Sequence, residues 1–283
     1  MIVFTTLSGA GFGLMVWLGL GLGPASAAFG ITACGLAFLL AGVGLVASLW
    51  HLGNPQRAWR ALSQWRSSWL SREGVLAVAT LGVFGLYALL WVAGAGRLLP
   101  LGLLAALLAL ATVYATSMIY GSIRAVPRWS KSPTPLIFLA YAAAGGGLGF
   151  LAAALPFGVA GGHQMLGIVL LLIAAGTALL WTARAGAIGL DAGGSTPESA
   201  IGLKNLGRAR LFEAPHTAPN YLMREMVFRI GRKHAQKLRL LAFNGAFMFP
   251  LLCIGLGAFA PFLASLLILA LPVHLLGVAA SRF

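Results

Sequence analysis

The densest group of polar and aromatic residues lies at positions 50–60, which read WHLGNPQRAWR. The segment follows a long apolar run, so His51 stands where a helix leaves the bilayer, because Asn54 and Pro55 are typical of a helix end. The pKa of histidine lies near working pH, and its imidazole can hydrogen-bond a quinone carbonyl and exchange the proton that accompanies each electron. A histidine that only caps or solvates the helix end is the alternative.

Two further clusters carry polar groups that could act together with His51. In the segment 69–74, WLSREG, Arg72 and Glu73 could orient a headgroup or relay a proton, although Ser71 followed by an acid also fits a helix start. The segment 120–129, YGSIRAVPRW, contributes two aromatic residues that could equally be membrane-belt aromatics. The candidate quinone-site residues are therefore His51, Asn54, Arg57, Arg72, Glu73, Tyr120, Arg124 and Trp129.

Haem is a separate hypothesis, because redox membrane proteins often bind it between two histidines at similar depth. His51 with His274 is the pair that the sequence leaves open for haem b, since His163 is expected at the opposite face and His216 and His234 lie in a basic loop. The two cysteines, Cys34 and Cys253, stand far apart inside apolar runs. Their spacing predicts small buried hydrophobes, and no metal site is expected in this chain.

The elements that must position these residues are membrane-spanning helices. Hydrophobic residues make up 60% of the 283 residues and charged residues only 8%, against roughly 25% in soluble domains. Eight stretches approach the length of about 20 apolar residues that crosses a bilayer. They are 3–22, 28–50, 74–94, 98–120, 135–157, 163–183, 238–259 and 262–281. We expect an all-α polytopic protein forming one integral membrane domain, 1–283.

Two details of this layout are open to test. The seventh and eighth stretches are separated only by Ala260 and Pro261, which favours a tight helical hairpin over one long kinked helix. The sequence Ala25-Ser26-Ala27 resembles a signal-peptidase site, but no Lys or Arg precedes it. We therefore expect a retained first helix.

The basic residues indicate the orientation. An even number of spans places both termini on one side, together with the loops at 51–73, 121–134 and 184–237. This side receives 18 of the 19 Lys and Arg residues and leaves Arg97 on the other. The positive-inside rule then predicts cytoplasmic termini and basic loops in a bacterial inner membrane. The net charge of +14 follows this loop pattern, so a nucleic-acid partner is not expected.

The loop 184–237 divides into two parts. Its first half is rich in Gly, Ser and Pro and is typical of a flexible loop. Its second half, PNYLMREMVFRIGRKHAQKLR, interleaves apolar and basic residues, which predicts a basic amphipathic helix at the membrane surface or a docking site for a partner protein.

The spans are nearly free of ionisable groups, and all five acids fall in loops or at span ends. Proton-coupled transporters usually place such groups at membrane depth, so a transporter is an alternative of a different class. Glycine pairs at four-residue spacing, such as Gly9 with Gly13 and Gly145 with Gly149, predict close helix packing.

Several short motifs resemble the membrane-anchor subunit family of dimethyl sulfoxide reductase. They are HLGNP at 51–55 followed by RAW at 57–59, SRE at 71–73, and AVP-x-W at 125–129. The stretches PNYLMREM and RKHAQKLR are similar to the branch of that family attached to membrane-bound sulfite-oxidising molybdoenzymes. The resemblance covers essentially the whole chain, including the eight-span layout.

This resemblance implies a complex of three subunits. A catalytic subunit holds molybdopterin, a second holds [4Fe-4S] clusters, and this chain is the anchor that exchanges electrons with quinone at His51, without activity alone. The long basic loop departs from the reductase branch, so we expect sulfite oxidation coupled to quinone reduction. An anchor of a dimethyl sulfoxide or related oxide reductase that oxidises quinol, and a purely structural anchor, are the alternatives.

Overall fold

The computed structural model describes residues 1–50, 54–123, 129–130, 133–158, 161–187, 197–203, 205–210, 212 and 233–282. These residues form eight long apolar helices and, in the described part of the chain, no β-strand. The helices are α1 (Ile2–Gly19), α2 (Ala27–Leu49), α3 (Trp69–Ala95), α4 (Leu99–Gly121), α5 (Pro133–Phe157), α6 (Gly161–Ala187), α7 (Ala235–Phe259) and α8 (Phe262–Ser281). Each is long enough to cross a bilayer, as predicted.

The long helices carry apolar residues all round, which is the composition of helices that face both a protein core and lipid. Helix α1 lies at the centre of the bundle and packs against α2, α4, α5 and α8. Helix α3 packs on α4, and α6 lies against α5. Large side chains such as Val78, Leu107 and Leu180 remain exposed on the outside, where lipid would cover them.

Helices α7 and α8 form the predicted hairpin. Helix α7 ends at Phe259, and after Ala260 the chain turns into the 3₁₀ turn Pro261–Leu266 that begins α8. Gly257 lies so close to Ala264 that a Cβ on the glycine would be 3.3 Å from the Cα of Ala264. This close approach shows that the two helices turn back on each other immediately after the loop.

Helix boundaries differ most from prediction at α3, which starts at Trp69 and not near 74. Its N-cap is Ser68, whose hydroxyl accepts from Ser71 N at 3.5 Å. The interpretation of Ser71 as the helix start was therefore wrong, since Ser71 Oγ instead donates to the carbonyl of Ala61. The shift carries Glu73 into the second turn of a membrane helix.

The other loops are only partly described. The predicted amphipathic helix lies mostly within 213–232, outside the described residues, and its last residues already belong to α7, which begins at Ala235. Helix α6 extends to Ala187, so the predicted loop begins later than 184. The segment 55–64 forms an exposed 3₁₀ helix, Pro55–Gln64.

Arg97 organises the end of the bundle opposite the candidate site. Its Nη1 donates to the carbonyls of Gly21, Leu22 and Gly23 at 2.7, 3.1 and 3.0 Å, and its guanidinium lies 5.2 Å from the Trp91 ring centroid. Charge-assisted hydrogen bonds of this kind are stronger than neutral ones. Arg97 therefore fixes the loop between α1 and α2.

Candidate functional site

Glu73 is a buried carboxyl group near the membrane end of α3. Its side chain is 4% exposed, and its Oε1 accepts from Thr116 Oγ1 on α4 at 3.2 Å. The same hydroxyl also lies 3.0 Å from the carbonyl of Thr112. An ionisable group at membrane depth is costly and usually has a function, so Glu73 is the natural centre of a candidate site.

Aromatic rings stand next to Glu73 at this end of the bundle. Tyr120 follows Thr116 by one helical turn, and its ring lies 5.5 Å from that of Trp129, edge to face, and 5.6 Å from that of Phe138. Glu73 is close enough to Tyr120 to interact with it electrostatically. The structure thus brings together three of the predicted residues, Glu73, Tyr120 and Trp129.

Arg72 makes different contacts, although it neighbours Glu73 in sequence. Its Nε donates to the carbonyl of Trp65 at 3.0 Å and its Nη2 to that of Arg66 at 2.6 Å. Its guanidinium also lies 4.3 Å from the centroid of the Trp69 ring. These contacts hold the turn before α3, and its role as a quinone ligand stays a prediction.

Asn54 and Arg57 lie on the exposed 3₁₀ helix and its start, at the same end of the bundle. The Arg57 amide donates to the carbonyl of Asn54 at 3.0 Å. Gly74 allows this helix to approach α3, because a Cβ at Gly74 would be 2.7 Å from Leu62 Cδ2. The 3₁₀ helix therefore packs beside the residue that follows Glu73.

His51 and Arg124 lie outside the described residues. Their positions relative to Glu73 stay predictions, as does the assignment of the whole residue set to a quinone.

Two site residues were missed in the sequence. Thr116 stands one turn before Tyr120, so helical spacing could have identified it. Arg282 follows α8, and its guanidinium lies 4.0 Å from the centroid of the Phe138 ring and 5.9 Å from that of Tyr141. His274, Val278 and Arg282 have the four-residue spacing of one helix face, which was the available signal.

His274 is 1% exposed and serves the backbone of α7. Its Nδ1 lies 2.7 Å from the carbonyl oxygen of Ala246. Pro250 explains why this carbonyl needs a partner, since proline has no N–H to complete the hydrogen bond from residue 250 to residue 246. Because a free backbone carbonyl inside a membrane must be satisfied, the histidine replaces the missing donor.

The described residues around His274 do not fit a haem. The cavity beside the ring has a volume of about 10 Å³, and a Cβ on the facing Gly145 would be 3.3 Å from His274 Nε2. The ring is therefore packed against the backbone of α5. Among the described residues there is also no cluster of three or more His, Cys, Asp or Glu that could hold a metal ion. Cys34 and Cys253 are buried and unbridged, as predicted.

Comparisons with known proteins identify the family. The family model of the DMSO reductase anchor subunit (DmsC) matches residues 1–183. A sulfite dehydrogenase subunit of Allochromatium vinosum is 30% identical over 282 residues, which cover 90% of this chain and 85% of that protein. No solved structure matches. With its eight apolar helices and a family match over more than half of its length, this chain belongs to the family of DMSO reductase anchor subunits.

Proposed function

We propose that this chain is the quinone-reactive membrane anchor of an oxidoreductase complex, passing electrons between an iron–sulfur subunit and the quinone pool. The observation that carries the proposal is the buried Glu73 carboxyl, hydrogen-bonded to Thr116 beside the Tyr120 and Trp129 rings. Membership of the anchor-subunit family supports it.

The donor set fits a planar carbonyl compound. The rings of Tyr120 and Trp129 offer apolar faces and edges to a flat headgroup. Glu73 can accept or release a proton, and the Thr116 hydroxyl holds its Oε1 in place. His51 is the proposed hydrogen-bond donor to a carbonyl. A bound quinone supplies the capacity to take up two electrons and two protons.

The proposed partners follow from the same family. An iron–sulfur subunit with [4Fe-4S] clusters and a molybdopterin catalytic subunit would dock on the basic face, which we place in the cytoplasm at the bacterial inner membrane. Sulfite is the proposed substrate, supported by the relative named as a sulfite dehydrogenase subunit. The family model is named for DMSO reductase, so reduction of dimethyl sulfoxide or a related oxide with quinol is the second candidate.

The test is sulfite-dependent quinone reduction by the purified complex, with an artificial acceptor to monitor the catalytic subunit. We expect His51→Ala and Glu73→Gln each to lower quinone turnover at least about tenfold, the scale of a lost general acid or base. Activity with the artificial acceptor should remain. His234→Ala and Glu198→Gln, which change the same residue types in loops outside the site, are the matched controls.

The other outcomes separate the alternatives. Unchanged quinone turnover in both site variants would leave a structural anchor whose redox site lies elsewhere. No sulfite activity with either acceptor, together with quinol-dependent reduction of dimethyl sulfoxide, would support the reductase.

A further inference from the structure

Two buried side-chain atoms in the described part of the chain have no hydrogen-bond partner, Thr6 Oγ1 and Arg282 Nε. They come from opposite ends of the sequence, and both residues line the same cavity between α1, α5 and α8. Buried polar atoms in native proteins nearly always have a partner, which is often an ordered water. Their meeting at one cavity therefore points to a bound water.

The cavity meets the requirements for water. Its volume of about 10 Å³ is close to the lower limit for one molecule, and its walls carry the hydroxyls of Thr5 and Thr6, the Arg282 guanidinium and His274. A water there can accept from Arg282 Nε–H and bond to Thr6 Oγ1, since a hydroxyl both donates and accepts.

A second cavity of about 10 Å³ lies on the other side of Arg282. Thr5 and Arg282 line both cavities, and the second also reaches Ser8 and Thr116. Thr116 is the residue that donates to Glu73 Oε1. The second cavity therefore lies between the guanidinium after α8 and the hydroxyl that holds the Glu73 carboxyl.

The charges at this end of the bundle suit such a connection. Glu73 is a buried acid held by a threonine hydroxyl, and Arg282 packs on the rings of Phe138 and Tyr141. Both interact electrostatically with Tyr120, which places them on either side of it. Opposite charges in a poorly solvated interior attract strongly, even across a water.

We propose that two buried waters flank Arg282, one bridging its Nε to Thr6 and one joining it to Thr116, so that Arg282 is the water-mediated counter-charge of Glu73. Arg282 is thus a positioning residue that favours the carboxylate form of Glu73. The water sites stand independently of the proposed function, and only the use of Glu73 in proton transfer rests on it.

Hydroxyl-radical footprinting of the purified complex tests the waters, because bound water generates radicals next to buried side chains. Tyr141 lines the first cavity and Phe12 the second, while Tyr87 and Phe84 are buried and line neither. We expect Tyr141 and Phe12 to be modified well above Tyr87 and Phe84. Equal protection within each pair would overturn the proposal.

Variants then separate the two sites. Thr6→Val keeps the side-chain shape and should reduce modification at Tyr141 to the level of Tyr87 while leaving Phe12 unchanged. Thr80→Val is the control, since Thr80 is buried, bonds to Thr112 at 2.9 Å and lines neither cavity. A Thr6→Val protein with undiminished Tyr141 modification would contradict the bridging water.

Infrared spectroscopy tests the counter-charge without measuring activity. Arg282→Met should produce the carbonyl band of a protonated carboxyl group at neutral pH, and Glu73→Gln in the same background should remove it. Arg239→Met removes an exposed cation on the same face and should give no such band. Absence of the band in Arg282→Met would overturn the role of Arg282, whether or not the site reduces quinone.

Discussion

His274 and Pro250 form a pair across the α7–α8 hairpin. Pro250 leaves the carbonyl of Ala246 without its helical donor, and His274 Nδ1 supplies one at 2.7 Å. The helix has a π-helical turn, Asn244–Met248, at the same place. The histidine is thus required because of the proline, and replacing both should cost less than replacing the histidine alone.

We expect His274→Phe to destabilise the protein by about 1 kcal/mol, because it leaves a buried acceptor unpaired. Pro250→Ala restores the missing N–H, so His274→Phe should cost less in that background. Thermal unfolding of the four proteins in detergent measures this double-mutant cycle. Additive losses would show that the two residues act independently.

The sequence predicts part of the site at this scale. Glu73, Tyr120 and Trp129 were identified because their residue types are unusual at span ends, and the structure brings them together. Arg282 was counted only as a loop cation. Its contact with α5 depends on how the helices rotate against each other, which residue type alone does not determine.

Helices α1 and α5 cross through glycines. Gly13 on α1 meets the backbone of Ala142, and Gly146 on α5 meets that of Gly13, so neither position has space for a Cβ. Small residues allow such close approach of membrane helices. The predicted spacing identified Gly13 but paired it with Gly9, where a Cβ would meet nothing within 4 Å.

Gly146→Ala should therefore destabilise the bundle by about 1–3 kcal/mol, the usual cost of overpacking. Gly82→Ala is the matched control, since a Cβ at Gly82 on α3 meets nothing within 4 Å. Melting temperatures of the two variants in the same detergent compare them directly. Equal effects would mean that the α1–α5 contact does not limit stability.

The number of helices followed from the sequence because a bilayer sets a minimum apolar length. Their ends followed less well where polar residues enter the helix. At α3 the Ser68 cap adds a first turn that contains Trp69, Arg72 and half of the candidate site. Hydropathy ends a span at its first charge, whereas hydrogen bonds at the cap end the helix.

At the scale of the whole molecule, the two ends of the bundle differ in charge. Arg97 stands alone among Lys and Arg at its end by the helix order, and its guanidinium binds the carbonyls of the α1–α2 loop. The other end holds the remaining cations and the buried Glu73. A partner with an acidic docking surface would meet the end at which electrons must reach the proposed quinone site.

This asymmetry predicts the orientation. In a background with Cys34→Ala and Cys253→Ala, Ser63→Cys at the basic end should react with a membrane-impermeant maleimide only after right-side-out vesicles are permeabilised. Ala95→Cys, exposed at the Arg97 end, should react at once. The reason is that basic loops are retained in the cytoplasm. The reverse pattern would place the basic end outside, and a partner that reduces quinone from the cytoplasm could not dock there.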